Sequence, residues 1–114
     1  MEPLKESIDH ASRGLPESLP FWQWSGTDMA QAVRTGVVSA RELTLAHLER
    51  IAQTNPVINA LVEVSGSEAL VMADAADAAV ARGEQLPPLH GVPVAIQVNA
   101  EQQGHATTDG LVAL

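Results

Sequence analysis

After residue 26 the hydrophobic positions recur at helical spacing in three stretches, separated by short β-branched runs and turn residues. The first stretch starts at Thr27, which is placed to cap a helix, with Asp28 complementing the helix dipole. Met29, Ala32 and Val33 share one face, and Gly36 supplies a stop. Ser39-Ala40-Arg41-Glu42 then matches a capping box and opens a longer helix, expected to reach about Thr54. Leu45, Leu48 and Ala52 recur along it beside Leu43 and Ile51, with Glu42, Glu49, Arg50 and Gln53 on the opposite arc. His47 falls near the apolar arc and reads as a half-buried packing residue. Asn55-Pro56 should end the helix, because the residue before a proline disfavours helical backbone.

Ile58 to Val64 is short and β-branched enough to predict a strand, broken by Ser65-Gly66-Ser67. Ser65 and Glu68 offer a second capping pair. A third helix is predicted from about Glu68 to Arg82, burying Ala69, Met72, Ala73, Ala76 and Val80 and leaving Asp74 and Asp77 as a solvated face. Arg82 and Gly83 close it. A loop through Pro87-Pro88 leads to a second predicted strand, Val92 to Val98, with Pro93 suited to a strand beginning or edge. Residues 104–110 read as a loop.

Residues 1–26 carry three of the seven prolines and all three aromatics, Phe21, Trp22 and Trp24. They form an expected extended arm, which those aromatics pin to the body by burying large apolar area. Hydrophobic residues make up 46% of the 114, enough for packed structure in one small domain. Fourteen acidic residues against six basic ones give a formal net charge of −8, and the arginines are scattered, so nucleic acid is not an expected partner. Cysteine is absent, and His10, His47, His90 and His105 show no paired ligand spacing, so no metal site is expected. The acidic start lacks a signal-peptide core, and no stretch approaches the ~20 apolar residues of a membrane span. A cytoplasmic location and no membrane association are the expectation.

Several motifs occur in a recognisable order. They are Ser39-Ala40-Arg41-Glu42-Leu43, Leu48-Glu49-Arg50-Ile51, Asn55-Pro56 and Asn59-Ala60-Leu61-Val62, followed by Pro88-Leu89-His90-Gly91-Val92-Pro93-Val94-Ala95-Ile96 and Ala106-Thr107-Thr108. Each alone is weak, but their succession from about Ser25 to Leu114 resembles the N-terminal part of the amidase-signature hydrolases. The resemblance implies an α/β fold, a partial amidase-signature fold with N-terminal helices plus the first strands of a mixed sheet. Residues 27–114 would then be the N-terminal portion of an amidase-like domain, incomplete at its C-terminus. It also implies carboxamide hydrolysis by a Ser, cis-Ser and Lys triad, with no cofactor.

Gln97 stands where the family carries its catalytic lysine. A glutamine amide donates and accepts hydrogen bonds but has no protonation equilibrium near neutral pH with which to activate a serine. Val98 and Asn99 follow, and only Asn99 fits the family's pattern. Lys5, the sole lysine, lies in the arm. Of the serines, Ser7, Ser12, Ser18, Ser25, Ser39, Ser65 and Ser67, none lies in the Gly/Ser-rich context that supplies the family's two catalytic serines and oxyanion donors. His90 reads as structural, and His105 has no nucleophile to serve. The expectation is an N-terminal fragment of a hydrolase, inactive alone; the alternative is a non-catalytic pseudoenzyme or interaction subunit. A complementing amidase C-terminal portion and self-association are the expected partnerships, the latter because Ile58, Leu61, Val94 and Ile96 lack enough cover.

Overall fold

A computed structural model describes residues 14–97, 100 and 102–105. A 3-10 turn, Phe21–Gln23, is followed by three helices: α1, Gly26–Arg34; α2, Ala40–Ile58; and α3, Gly66–Ala81.

The helix ends show why these residues form these elements. Ser25, two residues ahead of the expected Thr27, caps α1: its hydroxyl accepts the Asp28 N–H at 3.1 Å. At the other end Gly36 takes φ 75°, its N–H bonds the Val33 carbonyl, and the Val37 N–H reaches back to Ala32. This double closure satisfies carbonyls that the helix leaves unpaired. The same closure ends α3 through Gly83 and Glu84, which bond Val80 and Ala79. Ser65 occupies the cap position of α3, but its side chain makes no capping bond.

Pro56 does not stop α2. The helix continues to Ile58, and Asn59 ends it in the left-handed region at φ 50°, its N–H bonding the Asn55 carbonyl at 2.7 Å. The proline removes one donor from the final turn only, where little of the ladder remains to be lost. Asn55 compensates, since its side chain both accepts the Leu61 N–H and donates to the Leu61 carbonyl, each at 2.9 Å.

The predicted strands are therefore corrected. Among the described residues there is no strand, and the chain is helical where an α/β fold with a mixed sheet was expected. Ile58 is drawn into the last turn of α2, and Leu61 spends its backbone groups on Asn55. Residues 92–97 have no regular structure. β-Branched composition favours a strand only where a neighbouring strand meets its N–H and C=O groups, and none does so here.

Trp24, Met29, Ala32, Val33, Val38, Ala40, Leu43 and Ala73 form the core, with Leu15, Phe21, Ala76, Val80 and Val92 packed around it. The face of α1 is as expected. The buried side of α2 is turned, however: Leu43 and Thr44 are buried, while Leu45 and Ala52 are exposed. Met72, expected inside, is 66% exposed, because α3 approaches through Ala73, Ala76 and Val80. The aromatics do fasten the end of the arm. Trp24 is buried and donates its indole N–H to the Leu19 carbonyl at 3.0 Å, and Phe21 meets it edge-on with centroids 5.1 Å apart. Trp22 instead lies under the Arg50 guanidinium, 4.1 Å from its ring centroid.

Asp77 is not merely solvated, as the helical pattern predicts. Its two carboxylate oxygens accept the N–H groups of Ala40 at 2.7 Å and Arg41 at 3.1 Å. The Ser39 hydroxyl takes the next N–H, from Glu42, at 3.0 Å. A carboxylate on α3 and a local serine thus meet three free donors at the start of α2, where the helix dipole also favours negative charge. Arg41 then reaches both oxygens of Asp74, at 3.0 and 2.9 Å.

The segment after α3 lies across this helical unit. The Arg34 guanidinium donates to the Pro88 carbonyl at 3.2 Å, and His90 Nε2–H donates to the Ala76 carbonyl at 2.9 Å. Gly91 follows at φ 79°, pressed so close that a Cβ there would stand 2.8 Å from Val33 Cγ1 and 3.1 Å from the Ala40 Cβ. Only glycine meets both the backbone and the space requirement.

Two outcomes follow for unfolding measured by chemical denaturation. Asp77→Ala should cost about 1–2 kcal/mol, and Asp77→Asn less, because the amide oxygen still accepts one N–H; equal stability of Asp77→Ala and the parent would show that the bonds contribute nothing. Gly91→Ala should cost about 1–3 kcal/mol through strain and overpacking, and an unchanged midpoint would contradict the close approach.

Candidate functional site

The docked backbone at Gly91 aims the chain through Val92, Pro93, Val94, Ala95 and Ile96 to Gln97. Val92 packs against the core, Val94 is 73% exposed, and Gln97 is exposed as well. The Gln97 carbonyl accepts the Ala100 N–H at 2.9 Å. An exposed amide lacks both the burial and the titratable proton that a general base requires.

Several side chains that carry chemistry by type are occupied structurally. His47 Nδ1–H donates to the Leu43 carbonyl at 2.7 Å within α2, and His90 Nε2–H is committed to α3. Ser25 and Ser39 accept backbone N–H groups at helix starts. His105 differs from the other two described histidines. Its two ring nitrogens face Glu63 Oε1 at 2.7 Å and Glu68 Oε2 at 3.1 Å. The hydrogen bond to Glu63, helped by the charges of both glutamates, raises its pKa above the usual histidine value, while partial burial opposes the shift.

Among the described residues no cluster of three His, Asp or Glu side chains is arranged to hold a metal ion. No helix there is long and apolar enough to cross a membrane. Lys5, Ser7, Ser12, Val98, Asn99 and Ala106-Thr107-Thr108 lie outside the described residues. Asp77 and the His105 pair of carboxylates escaped sequence reasoning because their partners lie 36 to 42 positions away. A signal for Asp77 did exist: the adjoining alanines of α3 imply a close helix approach, which brings a flanking carboxylate within reach of a neighbour's end.

Comparisons with known proteins agree with the motif succession. The chain is 45% identical over 94 residues to indoleacetamide hydrolase of Bradyrhizobium diazoefficiens, a match covering 82% of this chain and 18% of that protein. It is 46% identical over 78 residues to the A subunit of the glutamyl-tRNA(Gln) amidotransferase of Prochlorococcus marinus, covering 68% of this chain and 16% of that one. The corresponding polypeptide of a Synechococcus species is 49% identical over 78 residues, with the same shares. The chain thus spans less than a fifth of the length of these relatives. No solved structure matches. The amidase family model matches residues 42–114, a stretch that holds most of α2, all of α3 and the docked segment with Gln97, and the chain belongs to that family.

Proposed function

We propose that this chain supplies the N-terminal helical portion of a carboxamide-hydrolysing protein and does not catalyse the reaction by itself. The observation that carries this reading is that Gln97, which the motif order assigns to the family's lysine position, is an exposed amide. An amide cannot serve as the base that takes a proton from a serine. None of the chain's serines sits in a Gly-Ser-Ser or Gly-x-Ser-x-Gly context, so nucleophile and oxyanion donors would come from residues beyond these 114. Substrates of the carboxamide class and a cytoplasmic setting belong to the same proposal.

The test is a chimera in which this chain replaces the matched segment of the Bradyrhizobium indoleacetamide hydrolase. With Gln97 the chimera should hydrolyse indoleacetamide at least about a hundredfold more slowly than with Gln97→Lys, as loss of a general base implies. Equal rates from two equally folded chimeras would show that Gln97 does not stand at the lysine position.

A second reading, as a non-catalytic interaction subunit, is supported by apolar exposure. Val57 is 85% exposed, Ile58 64%, Val62 82% and Val94 73%, in a chain whose relatives include an amidotransferase subunit. Such surface favours association with itself or with a complementing amidase portion. Size-exclusion chromatography with light scattering should show concentration-dependent association that weakens when Val57 and Val62 are both changed to glutamate. A monomer at every concentration would remove self-association.

A further inference from the structure

Two histidines fasten the segment that carries Gln97, one on each side of it, and both hold it against α3 or the connection leading into α3. His90 uses a single N–H toward the Ala76 carbonyl, a bond that a neutral ring makes fully. His105 sits differently, with a carboxylate at each ring nitrogen. A neutral imidazole has one N–H, so it satisfies one glutamate and turns a lone pair toward the other. The imidazolium donates to both.

Glu63 comes from the connection between α2 and α3, and Glu68 from the first turn of α3. These are the charged groups that face His105 among the described residues. The histidine side chain is 14% exposed, whereas the glutamates are 57% and 53% exposed. Solvent therefore weakens each contact taken singly, yet the protonated ring joins residues 42 and 37 positions away at once.

We infer that His105 is a proton-controlled latch: as imidazolium it holds residues 102–105 to the start of α3, and on losing its proton it releases one of its two carboxylates and loosens that end of the Gln97 segment. The inference does not depend on the catalytic reading of Gln97. The hydrogen bond to Glu63 and the charges of both glutamates raise the pKa in the folded chain above the ordinary 6.5. A raised folded value means that the stabilisation is fully present below the unfolded pKa and is lost as pH rises through the folded one. The latch is closed in mildly acidic solution and opens on the alkaline side of 6.5.

The test uses the full 114-residue chain, with histidine ring resonances and amide hydrogen exchange followed from about pH 5.5 to about pH 8.5. One histidine should titrate above 6.5 and vanish from the spectrum in His105→Gln, which assigns it. Glu63→Gln and Glu68→Gln should each lower its midpoint, Glu63→Gln the more. Exchange protection of the His105 N–H, which bonds the Gln102 carbonyl, corrected for intrinsic rates, should fall through that midpoint, and the residue 105 amide should become independent of pH in His105→Gln. A midpoint at or below 6.5 would overturn the latch, as would one unmoved by both glutamine variants, or protection that ignores the midpoint. The Glu63→Gln result decides the matter even where His105→Gln fails to fold.

Discussion

The carboxylate of Asp77 is the constraint on which the rest of the arrangement depends. It closes the start of α2 from a neighbouring helix, and that single placement fixes how α2 and α3 meet. Once Ala40 is held there, its methyl group and Val33 define the floor on which Gly91 lies, and Ala76 presents the carbonyl that His90 takes. The direction in which the chain leaves toward Gln97 is thus a late result of an interaction made at the opposite end of α3 from Glu68. Because the bonding partners are 36 and 37 positions apart, the first turn of α2 gains its full complement of acceptors only after α3 has formed and docked. The two helices should consolidate together during folding, with the closure of the intervening loop as the cost that precedes the gain.

What could be read in the sequence was mostly local. Ser39 with Glu42, the buried face of α1 and the glycine endings at Gly36 and Gly83 depend on residues a few positions apart, and periodicity or capping chemistry exposes them. The segments read as strands failed for a reason that periodicity does not contain, namely whether another strand lies alongside. Pro56 misled because its usual effect on the preceding residue is outweighed here by the closure that Asn55 and Asn59 provide. Long-range pairs were invisible: Arg50 was assigned to the solvent arc, yet it covers Trp22.

The reading of Gln97 as the family's lysine position comes from the order of motifs along the chain, which is local, whereas its surroundings depend on the fold. The structure adds that the residue sits at the exposed end of a segment anchored by His90 and Gly91. Scaffold and chemistry are separable in this chain. The helices, the His90 bond and the glycine contact are satisfied without reference to any reaction, which is the condition under which a family fold can persist while its catalytic group changes.

The contact among Val33, Ala40 and Gly91 has an evolutionary corollary. Three side-chain positions from three parts of the chain share one small volume, and one of them contributes no side chain at all. Enlarging any member is tolerable only where another shrinks, so substitutions at these positions should be strongly non-additive. Whatever the fate of the residues around Gln97, the trio would drift as a unit, leaving a record of correlated change at positions 33, 40 and 91 in place of independent ones.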